Sequence, residues 1–248
     1  MSVKIDLSDR VVIVTGATGG IGQGIARRFA AAGATVVVHY RSDAGGAETL
    51  SSDLDGLAVQ ADLSAAGGPS ALVDEVKHRM GRIDALVNNA GIQPKADMFD
   101  MSDTEWSEML STNVTAVHRL TQAAAAMMAN GGSVTHISSI EGTTPAPGHG
   151  HYAVSKAAVI MHAKAAALEW GERGIRVNTV SPGLIHRPGI EEAWPEGVNR
   201  WREAAPLGRL GTAEEIGDAC VFLASDMARW ITGIDLTVDG GVSTHPSW

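Results

Sequence analysis

The chain has 248 residues, 44% of them apolar, enough for one large α/β domain with a substantial core. Lys and Arg total 19 against 28 Asp and Glu, and the net charge of −9 argues against nucleic acid or an anionic membrane surface as partner, since both want clustered cations. No apolar run reaches the ~18 residues of a membrane helix, no signal-peptide pattern precedes the first strand, and the single Cys220 permits no internal disulfide, so a cytoplasmic location is expected.

Residues 10–15 (RVVIVT) are a β-branched run that predicts a buried strand. A glycine-rich stretch follows, with Gly16, Gly19, Gly20, Gly22 and Gly24 leading into an Ala/Ile/Phe helical pattern that ends at Gly33. Strand, glycine turn and helix start together give the motif its meaning: glycines admit a pyrophosphate close to the backbone, and the helix N-terminus offers free N–H groups. The plainer reading is a tight turn. A second strand spans 35–40. Position 40 lies 18 residues past Gly22, where a dinucleotide fold for NAD places an acidic residue, but here Tyr40 is followed by Arg41 and Ser42. Arginine pairs with a 2′-phosphate, which favours NADP(H) over NAD(H), although a solvated surface charge is the alternative.

The alternation continues. Strands are predicted at 57–64, with Asp62 at the strand end, and at 83–91, running into Asn88, Asn89 and Gly91. Further strands are expected at 132–139, 175–183 and 233–241. Helices are predicted at 69–80, at 102–129 behind a Ser102–Glu105 capping box, from Tyr152 to about Arg173, and at 212–224. Cys220 in the last of these reads as a core residue, with Ile216 and Leu223 at helical spacing. Strands alternating with helices at this interval predict a doubly wound Rossmann-type α/β fold: a parallel sheet of about seven strands, covered on both faces. No linker divides residues 1–248, so one domain is expected. Ligands in such sheets bind beyond the carboxyl ends of the strands. The glycine turn, Asp62, Asn89, Ser139 and Pro182-Gly183 all follow strand ends and therefore converge.

Ser139 to Lys156 reads SIEGTTPAPGHGHYAVSK. In a helix, Tyr152 and Lys156 share one face a turn apart. An ammonium beside a phenol favours its ionised form, so the expectation is a lowered phenol pKa and a group able to exchange a proton with an alcohol or carbonyl. Ser139 can reach the same oxygen if the Pro/Gly-rich loop folds back. A chance pairing of one Tyr and one Lys is the alternative.

In order along the chain stand Thr15-Gly16-x-x-x-Gly20-x-Gly22, Asp62, Asn88-Asn89-Ala90-Gly91, Asn113, Ser139, Tyr152-x-x-x-Lys156, Pro182-Gly183 and IDLTVDGG. This set resembles the short-chain dehydrogenase/reductase family, in its single-domain branch, over nearly the whole length. The resemblance implies Tyr152 as general acid/base, Lys156 on the nicotinamide ribose, Ser139 on the substrate oxygen, and Asn113 anchoring a water that relays protons through Lys156. It also implies a dinucleotide over Gly16, Thr18, Gly19 and Ile21, with Asp62 and Leu63 beside its adenine. Asn89, Ala90, Gly91, Pro182, Gly183 and Ile185 would lie on its ribose and nicotinamide side. Two departures stand out. Arg187 occupies a position that is often Thr in the family, and the glycine turn has Gly19 where phosphate-preferring members often carry a basic residue.

The implied reaction is hydride transfer between a nicotinamide and a secondary alcohol or ketone. A 3-oxoacyl thioester reductase and a sugar or polyol dehydrogenase are both open, and a non-catalytic dinucleotide sensor is the alternative class. Residues 184–208 read as a mobile lid whose Trp194 and Trp201 line a pocket or anchor packing. His149 and His151 suggest substrate contact or loop surface rather than a metal site. Ala- and Met-rich faces on helices 102–129 and 152–173 predict a homotetramer, or a homodimer, as in many relatives.

Overall fold

The computed structural model describes residues 5–128 and 131–244. Seven apolar runs become seven parallel strands: β1 (Val11–Val14), β2 (Thr35–Tyr40), β3 (Leu57–Gln60), β4 (Ala85–Asn88), β5 (Gly132–Ile137), β6 (Ile175–Pro182) and β7 (Asp235–Val238). They form one sheet in the order β3-β2-β1-β4-β5-β6-β7, so the winding reverses between β1 and β4. That reversal opens a crevice at the carboxyl end of the sheet.

Successive strand residues face opposite sides, and both sides are buried, which is why these runs are continuously apolar. On one side Val12, Val14, Val36 and Val38 pack with Ile25, Phe29, Ile216, Cys220 and Leu223. On the other, Ile13, Val37, Leu86, Val134 and Val177 pack with Leu72, Val76 and Leu120. The covering helices are α1 (Gly20–Ala31), α2 (Ala44–Asp53), α3 (Gly68–Met80), α4 (Asp103–Leu110), α5 (Ala116–Met127), α6 (Gly150–Trp170), α7 (Ile190–Ala193), α8 (Pro195–Ala204) and α9 (Ala213–Ala224). Phe29 is fully buried; a phenyl group removed from water contributes about 1.5–3 kcal/mol.

Three elements depart from the sequence expectation. Helix α2 has no counterpart in it: Gly45 and Gly46 are poor helix formers, and the helix instead depends on the Asp43 side chain, which accepts from the Gly46 N–H. The expected long helix from 102 is interrupted by a π-turn at Ser111–Thr115, where Ala116 N–H reaches back to the Ser111 carbonyl. Its last predicted residue, 129, lies outside the described residues. The 184–208 segment is largely helical: α7 and α8 account for much of it, with Ile190, Val198 and Leu210 forming a small core of their own.

A line of three imidazoles crosses the α5–α6 seam. Asn88 Nδ2 donates to Thr121 Oγ1 and approaches His136 Nδ1 at 3.1 Å. His136 Nε2 lies 3.1 Å from His162 Nδ1, and His162 Nε2 lies 3.2 Å from His118 Nδ1. Because the amide nitrogen only donates, His136 accepts at Nδ1 and carries its hydrogen on Nε2, and the same tautomer follows down the line. Burial pushes His136 down to about 3, with the neighbouring charges of His162 and Lys156 acting in the same direction.

Candidate active site

The glycine turn is held from three sides. Gly16 has φ +59°, a left-handed conformation that favours glycine, and a side chain there would press on Ala90. Asn89 Nδ2 donates to the Thr15 and Gly16 carbonyls at 2.9 and 3.1 Å. Thr15 Oγ1 accepts from the N–H groups of Asn89 and Ala90. From below, buried His39 accepts the Gly16 N–H at Nδ1, 3.1 Å, and its Nε2 meets the Ala61 carbonyl at 3.1 Å. Accepting at one nitrogen and donating at the other requires a neutral ring. Burial lowers His39 to about 4, with the Ala61 bond opposing that shift. The sequence reading passed over His39; a polar residue inside the apolar run TVVVHY was the available signal.

Helix α1 begins at Gly20 with no side-chain cap and no acidic residue in its first turn. Its leading N–H groups therefore have no intrahelical acceptor and carry the positive end of the helix dipole. A Cβ at Gly20 would meet nothing within 4 Å, whereas one at Gly22 would lie 2.2 Å from the Gly16 carbonyl oxygen. The cradle is open above and tight below, a fit for a pyrophosphate. Thr18 and Ile21 are half-buried in the same turn, and Thr18 is tied through its carbonyl to Gln23.

Arg41 extends exposed from the end of β2. The absence of a carboxylate at position 40 does not leave it alone, because the parallel β2–β3 pairing brings Asp62 within electrostatic reach. Ser64 holds Asp62 in an Asx turn through N–H and Oγ at 2.9 and 2.6 Å. These bonds come first in lowering its pKa. Half-buried Leu63 lies between them.

Ser139, Tyr152, Lys156 and Asn113 come together at the end of β5. Ser139 stands close enough to the Tyr152 phenol to draw its pKa down, and Lys156 Nζ lies 5.4 Å from the centre of its ring. Lys156 is buried and donates to the Ile137 carbonyl at 2.8 Å; burial lowers it to about 8. A Cβ on Gly91 would lie 3.1 Å from Asn113 Oδ1 and 3.7 Å from Lys156 Nζ, so the β4 turn closes over the same group.

One expectation is corrected here. The phenol is not lowered by the protein alone: burial pushes Tyr152 up to about 12, the Ser139 hydroxyl draws it back, and the Glu141 charge pushes it further. Burial disfavours the charged forms of both phenol and ammonium, so the lysine's help is limited. The Asn113 side chain is engaged by its neighbours. It clamps Ile92 by exchanging two bonds of 2.9 Å with its backbone, and it donates to Ser155 Oγ at 3.1 Å.

Pro182 ends β6, and Gly183 donates to the Val238 carbonyl. A Cβ at Gly183 would fall 2.6 Å from Trp201, and one at Gly197 would fall on Trp194, so both tryptophans pack against glycines as anchors. Ile185 bridges to Gly211. His149 and His151 diverge: His151 is fully buried with no hydrogen-bond partner for either nitrogen among the described residues, while His149 turns to Glu141.

A glycine cradle at a helix N-terminus, facing a serine, tyrosine and lysine at a nearby strand end, defines a dinucleotide-dependent oxidoreductase of the Rossmann type. The chain belongs to the short-chain dehydrogenase/reductase family. Residues 16–243 match the family described as Enoyl-(Acyl carrier protein) reductase. The 3beta-hydroxysteroid dehydrogenase 1 of Eggerthella lenta is 36% identical over 98% of this chain and 97% of its own. The 3-oxoacyl-[acyl-carrier-protein] reductase FabG of Chlamydia muridarum is 38% identical over 96% of this chain and 98% of its own. A gluconate 5-dehydrogenase from Burkholderia cenocepacia, solved with NADP and tartrate, superposes with a TM-score of 0.90 at 30% identity, covering 98% of each chain. The protein is accordingly an NAD(P)-dependent oxidoreductase acting on alcohol and ketone groups. None of its described helices is long and apolar enough to cross a membrane.

Proposed function

We propose that the protein interconverts a small secondary alcohol and its ketone with Tyr152 as general acid/base, and that it prefers NADP(H). The observation carrying the catalytic reading is the convergence of Ser139, Tyr152 and Lys156 beside the glycine cradle. When bound, the dinucleotide supplies or accepts the hydride. Ser139 positions the substrate oxygen, and Tyr152 gives or takes its proton. Lys156, held at the Ile137 carbonyl, stands next to the phenol to bind a ribose hydroxyl and offset developing negative charge. Asn113 fixes Ile92 and so the shape of the β4 turn; a water relay at this residue would use its main chain, since its amide is engaged. Pro182, Gly183 and Ile185 line the nicotinamide side, with 184–208 above them as the lid. Tyr152→Phe should remove nearly all turnover while leaving dinucleotide binding intact; turnover equal to the parent would overturn the assignment.

Support for NADP(H) is the exposed Arg41 guanidinium at the β2 end. The nearby Asp62 moderates that preference without reversing it, because Ser64 already holds the carboxylate. Support for assembly lies on α6, where Val154, Met161 and Leu168 form one stripe at seven-residue spacing, 43%, 62% and 86% exposed. Edge strand β7 offers a second surface. A homotetramer, or at least a homodimer, in the cytoplasm fits these features and the lone buried Cys220. A sedimentation mass equal to one chain would end the oligomer proposal.

A further inference from the structure

Beside the Ser139–Tyr152 pair is a second polar group that hydride transfer itself does not use. Glu141 is two residues past Ser139, on the 3-10 turn Ile140–Gly142, and its N–H donates to Ser139 Oγ at 3.1 Å. Its carboxylate faces His149 Nδ1 at 2.9 and 3.2 Å and accepts from Gln93 Nε2 at 3.1 Å. The His149 ring stands edge-on to the Tyr152 ring, 6.1 Å between centres. The turn packs directly on α6: a Cβ at Gly142 would lie 3.0 Å from the Lys156 carbonyl carbon. Glu141 and His149 side chains are 16% and 15% exposed, so the cluster is sheltered but reachable.

Resting on the oxidoreductase reading, we infer that Glu141, His149 and Gln93 recognise a hydroxyl on the carbon next to the reacting one, making the substrate a neutral vicinal diol, polyol or hydroxyketone. A carboxylate has about four lone-pair sites. The contacts with His149 and Gln93 leave acceptor capacity on Glu141 for a substrate O–H. With Nδ1 donating to the carboxylate, His149 has Nε2 left, and Gln93 keeps its amide oxygen. Open hydrogen-bonding positions concentrated this way suit a hydroxyl, which both donates and accepts. An apolar acyl chain or ring system laid here would bury the carboxylate without replacing its water, a heavy cost. A substrate carboxylate or phosphate would meet like charge. Glu141 and His149 are already joined to each other and sheltered, which limits the ordering cost on binding.

The test uses matched pairs with both dinucleotides: 2,3-butanediol against 2-butanol, and acetoin against butanone, with tetritols, a cyclic ketone, an acetoacetyl thioester and an amino alcohol added. The parent should prefer each hydroxylated member by about 10²-fold or more in kcat/KM, since a site built to bond a hydroxyl rejects the analogue lacking it. Glu141→Leu should shrink that ratio at least about tenfold, chiefly through KM, with Glu141→Gln between. Polyol should also raise the melting temperature of the enzyme with oxidised dinucleotide, and less so in Glu141→Gln, a shape-conserving change that guards against misfolding. A ratio near one in the parent, a ratio unmoved in both variants, or preference for the thioester or amino alcohol would overturn this inference while leaving the oxidoreductase reading standing. Absence of both dinucleotide binding and turnover on every compound would instead overturn that reading, and this inference with it.

Discussion

Replacing His39 by Leu removes two bonds made by a buried ring. The part-buried Gly16 N–H loses its acceptor and the buried Ala61 carbonyl its donor. Each orphaned backbone group costs about 1–3 kcal/mol, partly offset by the apolar side chain, so a loss of about 2–4 kcal/mol is expected at pH 7.5. The same ring sets an acid dependence. Its folded pKa of about 4 lies below the ordinary 6.5, so the unfolded chain binds the proton first and the stability contribution present above 6.5 disappears as pH falls toward 4. Over the whole window that is about 3 kcal/mol, and about 2.5 kcal/mol of it is gone by pH 4.5. Urea unfolding followed by tryptophan fluorescence, at fixed protein concentration from pH 7.5 to 4.5, measures both terms. The parent should lose its advantage over His39→Leu as pH falls, and the two should nearly converge at the acid end. His136 acts equally in both proteins and cancels. A stability difference independent of pH would refute the neutral-ring argument.

Tyr152 should stay protonated in the protein without dinucleotide, giving no tyrosinate absorbance relative to Tyr152→Phe below about pH 11, because burial holds it near 12. Alcohol oxidation should accordingly speed up as pH rises, since the base form is scarce at neutrality; a flat profile would exclude a titrating phenol. Gly22→Ala would place a methyl 2.2 Å from the Gly16 carbonyl oxygen, so dinucleotide affinity should fall and stability drop by about 1–3 kcal/mol in denaturant unfolding. Arg41→Ala should weaken NADPH by about tenfold or more and NADH little, by fluorescence titration; equal losses would remove the 2′-phosphate role.

What the sequence showed was what is local or periodic. The seven strands follow from runs such as VVIV and TVVVHY, and the crevice from the way such runs alternate with helices. Tyr152 and Lys156 were legible because a helix fixes their spacing. The misses arise through space. Helix α2 contains two glycines and owes its start to the Asp43 side chain, so propensity could not reveal it. Glu141 became part of the site only when the 140–142 turn and the Gln93 loop met, 48 residues apart in the chain. The phenol's pKa was misread because helical adjacency reports the lysine, whereas burial, which dominates, depends on the entire fold. Asp62 approached Arg41 by strand pairing, which single-strand reading ignores.

The π-turn at Ser111–Thr115 lets this stretch carry one residue more than a regular helix while α4 and α5 keep their alignment. A helix advances about 100° per residue, so an extra residue left unabsorbed would turn α5 by more than a quarter turn and take Val117, Leu120 and Ala124 out of the core. Absorbed in one wide turn, it leaves the phase of both halves unchanged. Deleting one position inside the turn would restore regular helix and spare the core, but it would remove the wide turn that carries Asn113 and with it the clamp on Ile92. Homologous chains that keep this clamp should therefore keep the wide turn as well, whatever residues fill the positions around it.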